Sequence, residues 1–154
     1  MAKEVEYLTV QDHLWINLQV AGKKSRFKFA ALEEAVYYQY AYGRSTNVLA
    51  QAAKYATGFA KKAPFDTANL ETGFVGLLTF LTLNGYQVKL ADKDAGAFFE
   101  SLLASPLTAE QEISRVAKWH DDDDHHVSVK EAAMAVMDRY SRTLKKLGEL
   151  TAVS

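Results

Sequence analysis

The chain has 154 residues, 49% of them hydrophobic and 24% charged, enough for the core of one domain and too apolar for a disordered chain. Zero cysteines exclude a disulfide framework, thiolate metal sites and cysteine nucleophiles, and 18 Lys plus Arg against 19 Asp plus Glu argue against a large basic surface for nucleic acid. No apolar leader is visible and no run approaches the roughly 18 apolar residues of a membrane span, so a cytoplasmic protein without membrane contact is expected.

Two prolines and abundant alanine favour an all-α class. Thr9 and Asp12 read as a capping box for a first helix from Val10 to Val20, with Val10, Leu14 and Leu18 on one stripe and Gly22 as its stop. Lys23, Lys24, Arg26 and Lys28 then form a short basic hairpin or flap. A second helix is expected from Ala30 to Tyr42, with Leu32, Val36 and Tyr40 on one face and Gly43 ending it. The rings of Tyr37, Tyr38, Tyr40 and Tyr42 read as packing, since no basic groove surrounds them. Ser45 or Thr46 caps a third helix carrying Val48, Leu49, Ala52, Tyr55, Ala56 and Phe59.

Pro64 interrupts the pattern, which reopens as a helix with Phe74, Leu77, Leu78 and Leu81, closed by Asn84-Gly85. Apolar around much of its circumference, this helix is expected at the centre of the bundle. A short extended piece follows at YQVKL, then a fifth helix through Ala95, Phe98, Phe99 and Leu102. Thr108 with Gln111 suggests a capping box for a sixth helix reaching Trp119. After the run HDDDDHH, Ser128 and Glu131 cap a last helix of about 20 residues, roughly 30 Å, ended by Gly148.

A loop that enters the N-terminus of a buried helix is a natural anion site, because its first N–H groups are unpaired and the helix dipole favours negative charge. The segment from Ala63 to Thr72 has this character. Phe65 would seat the loop in the core, Ala68 would admit a ligand close to the backbone, and Asn69 would offer an amide. Asp66 and Thr72 complete the candidate ligand-binding loop.

The stretch APFDTANLETGFVGLLTFLTLNGYQV resembles the signature of the Fic/Doc (death-on-curing) family, His-x-Phe-x-Asp-(Ala/Gly)-Asn-Lys-Arg-Thr before an apolar helix ending Leu-Asn-Gly-Tyr. YLTVQDHLWINLQVAG, ALEEAVYYQYAYG and SLLASPLTAEQEISRVAKW are similar to the family's other helices, so the likeness covers residues 5 to 120. It implies a compact Fic/Doc-like helical bundle around a buried central helix in residues 1–120, with the basic flap, an acidic linker at 121–127 and an extra C-terminal helix at 128–154. It implies the Doc branch in particular, and with it a toxin–antitoxin ancestry.

Carried over position by position, the family's catalytic histidine falls on Ala63 and its metal-binding acid on Thr67, with Asp66 one place earlier. Phe65, Ala68, Asn69 and Thr72 match. The phosphate-binding lysine and arginine become Leu70 and Glu71, the latter a reversal of charge. Loss of a general base typically costs about 10²–10⁴ in rate and loss of electrostatic stabilisers roughly 10²–10³ more. The implied reading is a degenerate motif with no catalytic residue, in a scaffold that binds a nucleotide or a protein, such as an antitoxin-like partner or a target. The alternative is a transferase that modifies a protein hydroxyl with a rearranged site using Asp66, Asn69 and Lys61 or Lys62. Cofactors are expected to be none, or at most a residual nucleotide or Mg²⁺.

Of the four histidines, His13 lies in the first helix and His120, His125 and His126 in the tail. His13 reads as packed or surface, and HDDDDHH as an acidic linker without metal-motif spacing. Thr108 and Glu112 have the spacing of the family's inhibitory helix, but Ile113 breaks that pattern. The last helix repeats near 3.5 residues and suits a homodimer seam, a partner helix or an intramolecular strut equally well.

Overall fold

A computed structural model describes residues 4–41, 46–120 and 127–153 of the chain. Among these are eight α-helices and one two-stranded antiparallel sheet, an all-α bundle around a central helix.

Helix α1, Val10–Ala21, starts at the Thr9 capping box, in which Thr9 Oγ1 accepts from the Asp12 N–H and Asp12 accepts from the Thr9 N–H. Gly22 ends it in left-handed backbone. Helix α2, Phe29–Tyr37, is shorter than its apolar stripe predicts, because the chain tightens into a 3₁₀ turn at Tyr38–Tyr40. That turn has three residues per repeat and shifts the rings off the buried stripe. Tyr37 and Tyr40 are therefore half-exposed, and Tyr40 stacks on Tyr7 at 4.0 Å and on Tyr37 at 5.1 Å rather than joining the core. Tyr42, Gly43 and Ser45 lie outside the described residues. Helix α3, Val48–Lys62, is capped by Asn47 rather than Ser45 or Thr46: Asn47 Oδ1 accepts from the Ala50 N–H.

Helix α4, Asn69–Leu83, is the central element. Every residue from Glu71 to Leu81 is buried, enclosed by α1, α3 and the two C-terminal helices. Strand β1, Tyr86–Val88, pairs with β2, Ala117–Trp119. The sixth helix, α6 (Ala109–Val116), thus stops short of Trp119, and Thr108 makes no capping bond to it; its hydroxyl donates to Ser105 O instead. Pairing with β1 wins over continued helix because Trp119 lies edge-on to Tyr86 at 5.4 Å. Between the strands runs α5, Asp92–Ala104.

The last helix is two helices. Ser128 caps α7, Val129–Arg139, and the chain breaks at Tyr140 before α8, Ser141–Val153. Gly148 lies inside α8 instead of ending it. The break lets both helices fold onto the body: Ala132, Ala133, Val136, Tyr140 and Leu147 are buried, and the Tyr140 hydroxyl donates to Leu90 O at 2.6 Å. Of the earlier alternatives, the apolar stripe serves as an intramolecular strut. Asp121 to Asp124, His125 and His126 lie outside the described residues.

Asp92, in the first turn of α5, caps α8 from across the fold. Its carboxylate accepts from the Arg142 and Thr143 N–H groups at 3.1 and 2.9 Å and from the Thr143 hydroxyl at 2.7 Å. Burial pushes the Asp92 carboxyl up, but those three hydrogen bonds outweigh it and leave the pKa below its ordinary value. Asp92→Ala is expected to lower unfolding stability by about 1–2 kcal/mol, as a lost cap does, measured as a shift of the denaturant midpoint. An unchanged midpoint would show that α8 is held by packing alone.

Candidate functional site

The Ala63–Thr72 loop is bounded by two alanines in left-handed backbone, Ala63 at φ 43° and Ala68 at φ 62°. Such a conformation costs a non-glycine residue on the order of 1 kcal/mol and persists where surrounding structure enforces it. Three contacts do so. Phe65 is buried in the core. The flap lies antiparallel to the loop, with the Lys28 N–H donating to Pro64 O at 3.1 Å and the Asp66 N–H to Arg26 O at 2.9 Å. Asn69 closes the turn on both sides, accepting from the Phe65 N–H at 2.9 Å and donating to Phe65 O at 2.7 Å. The basic segment is thus no hairpin in itself; its partner strand is the motif loop.

The predicted loop residues are together in space, but the polar groups of Asn69 and Thr72 are engaged within the protein. Asn69 spends both amide atoms on Phe65 instead of presenting them to a ligand. Thr72 donates to Ala68 O at 2.6 Å and accepts from Asn17 Nδ2, which also donates to Thr67 O. Asp66 is exposed, Thr67 half-buried and Ala63 exposed. Lys62 pairs with Glu34 on α2, away from the loop, and Lys61 is exposed at the end of α3. Lys23, Lys24, Arg26 and Lys28 are all exposed along the flap.

Glu71 occupies the first turn of α4 and is buried beneath α8: a Cβ on Gly148 would stand 3.2 Å from its Oε2. Its Oε1 is buried with no hydrogen-bond partner. Burial raises its pKa above the ordinary value, while its own backbone N–H pulls it the other way. An acid raised in the folded state favours folding below its unfolded pKa of 4.5 and loses that advantage as pH rises through the folded value. Glu71→Gln is therefore expected to stabilise the fold at pH 7 by about 1 kcal/mol, the scale of relieving one buried unsatisfied charge, and to change little below pH 4.5. Thermal midpoints measured across this range check it; equal midpoints at pH 7 would overturn it.

Among the described residues no group of three His, Asp or Glu side chains converges, and the Glu71 carboxyl in the first turn of α4 lies under α8. His13 is fully buried. Thr9 O can only accept, so the Nδ1 at 2.7 Å from it carries the hydrogen, and Nε2 accepts from the Tyr55 hydroxyl at 2.5 Å. Burial drives its pKa down to about 4, so the ring is neutral. Gly76 makes room for this pair, since a Cβ there would lie 2.1 Å from Tyr55 Oη. His120 follows β2 and lines a separate cavity of about 450 Å³ between β1 and α7.

Sequence reasoning missed the buried polar residues Asn17, Gln39 and Gln51, and read Asn84 only as part of a helix stop. Asn17 supports the motif loop, while Gln39 Oε1 and Nε2 bond the backbone of Leu8. Asn84 joins the N-terminal segment to the end of α4 through both Glu6 backbone groups. Their polar character breaks the apolar stripe, and that interruption is the available signal. Among the described residues no helix is long and apolar enough to cross a membrane. Compared with protein-family models, with curated proteins and with solved structures, the chain finds no match in any of the three.

Proposed function

We propose that this chain is a cytoplasmic Fic/Doc-like scaffold of toxin–antitoxin ancestry that has lost group transfer and acts by binding a protein partner. One observation carries the reading: Asn69, the polar group best placed to meet a phosphate, is tied to Phe65 at both amide atoms. Glu71 at the head of the same helix adds to it, because a carboxylate there opposes a polyphosphate by like-charge repulsion. What the loop retains is the part that holds shape, Phe65, Ala68 and Thr72, so the scaffold is kept and the chemistry is not. The partner in this reading is a protein and not nucleic acid, since 18 Lys and Arg are balanced by 19 Asp and Glu and the net charge is −1.

Calorimetric titration with ATP, GTP and CTP, with and without magnesium, tests the loss of nucleotide binding, and labelled-nucleotide transfer onto a cell lysate tests the loss of chemistry. No heat of binding and no transfer are expected. Transfer that Asn69→Ala abolishes would overturn the proposal and establish the rearranged transferase. A second copy as the partner is checked by light scattering: Met134 and Leu150 remain exposed on α7 and α8, and a dimeric mass lost on Met134→Glu would identify the homodimer.

A further inference from the structure

A second cavity, about 400 Å³, opens between α1 and the flap, within the roughly 300–1,000 Å³ range of small-molecule sites. It shares Phe65 and Asn17 with the motif loop but does not rest on the group-transfer reading. Trp15, Phe27 and Phe65 give it aromatic walls, Leu14 and Leu18 add aliphatic ones, and Lys24 stands at its side. Phe27 and Phe65 are tilted at 56° with centroids 6.0 Å apart, and Phe27 is 40% exposed.

One polar group of the lining is both buried and without a partner: the Ser25 hydroxyl makes no hydrogen bond. Asn17 is 2% exposed and makes both its bonds through Nδ2, to Thr67 O and Thr72 Oγ1, which leaves its Oδ1 as an acceptor. A buried polar group without a partner is destabilising, and a ligand that pairs with the Ser25 hydroxyl relieves that cost. Lys23, Lys24, Arg26 and Lys28 form no ion pair among the described residues, and Lys24 lines the cavity.

We propose that this cavity between α1 and the flap is a binding site for a small aromatic carboxylate carrying an N–H or O–H donor. The ring packs among Trp15, Phe27 and Phe65. Its donor meets Asn17 Oδ1, the Ser25 hydroxyl donates to the ligand, and the carboxylate pairs with Lys24. Neither a neutral ring nor an aliphatic acid satisfies all three demands.

The test titrates the full chain with indole-3-acetate and 4-hydroxyphenylacetate, with neutral indole and hexanoate as controls, read by calorimetry and by Trp15 fluorescence in a Trp119→Phe background. At least one aromatic carboxylate is expected to saturate below about 1 mM and to bind about tenfold tighter than either control. Lys24→Glu, at an exposed position, is expected to weaken that carboxylate about tenfold and leave indole unchanged. Leu18→Trp, which fills the cavity from its rim, is expected to abolish binding. Absence of saturable binding by both aromatic carboxylates at about 10 mM, or carboxylate binding indifferent to Lys24→Glu, would overturn the assignment. Phe65 and Asn17 serve both the motif loop and this cavity, so Lys24→Glu separates the two proposals: a nucleotide heat that it removes belongs to the cavity, and one that it leaves unchanged belongs to the α4 head.

Discussion

A chain ending at His120 is expected not to fold. The likeness to a family over residues 5 to 120 suggests a self-sufficient body with an added tail, yet α7 and α8 supply part of its core. Val136, Tyr140 and Leu147 are buried, and the Tyr140 ring meets Phe74 of the central helix edge-on at 5.4 Å. Each large apolar side chain buried contributes about 1.5–3 kcal/mol. Removing three, and uncovering Phe74, Leu78 and Val88 behind them, is on the scale of a whole domain's net stability of about 5–15 kcal/mol. The truncation also removes Arg139, whose guanidinium donates to Val88 O and Leu90 O at 3.2 Å each and holds the segment after β1. Circular dichroism and thermal melting decide the matter. Loss of the cooperative transition is expected, and a chain ending at His120 with the parent's melting profile would show α7 and α8 to be an appendage.

Acid is expected to destabilise the protein through His13. Its folded pKa of about 4 lies below the ordinary 6.5, because charging the ring would bury a cation and turn the nitrogen that accepts from Tyr55 into a donor. The unfolded chain takes up the proton first as pH falls. The stability held by the neutral ring is therefore complete above pH 6.5 and lost between 6.5 and about 4, amounting to about 3 kcal/mol at 1.36 kcal/mol per unit. Denaturant unfolding at pH 7 and at pH 4.5, for the parent and for His13→Gln, isolates this contribution from every other titrating group. The parent is expected to lose about 2–3 kcal/mol more than the variant over that interval. Equal losses would show that His13 is charged or reached by water in the folded state. The same burial keeps this imidazole from acting as a base toward a bound molecule, since Phe59 and Tyr55 pack against it and both ring nitrogens are engaged.

Local signals carried most of the helix positions. Thr9 with Asp12, Gly22, and Ser128 with Glu131 act at the ends where their chemistry predicts caps or stops, because capping is decided within three or four residues. The apolar circumference of α4 marked the buried helix for a similar reason: a helix apolar on all sides must be enclosed. The misses are the places where a distant segment competes. Periodicity ran α6 on to Trp119, but β1 offered hydrogen bonds and an aromatic contact that helix could not match. Periodicity also joined α7 and α8, whereas Tyr140 buries its ring against Phe74 and sends its hydroxyl to Leu90, which a straight helix of about 30 Å would forbid.

The candidate site divides in the same way. The identities of Ala63, Thr67 and Glu71 are read directly from the chain; that they replace a base, an acid and a cation is an expectation from the resemblance. Sequence likewise determined the class, the central helix and the basic flap. Only the tertiary structure decided that Asn69 turns to Phe65, that Glu71 lies under Gly148, that the flap pairs with residues 64–66, and that α1 and the flap border a cavity lined by an unpaired Ser25 hydroxyl. The physical reason is range. Propensity and capping act over a few residues along the chain, whereas the direction of a buried polar side chain is set by whichever partner packing brings within about 3 Å, and here those partners lie as many as 78 residues away.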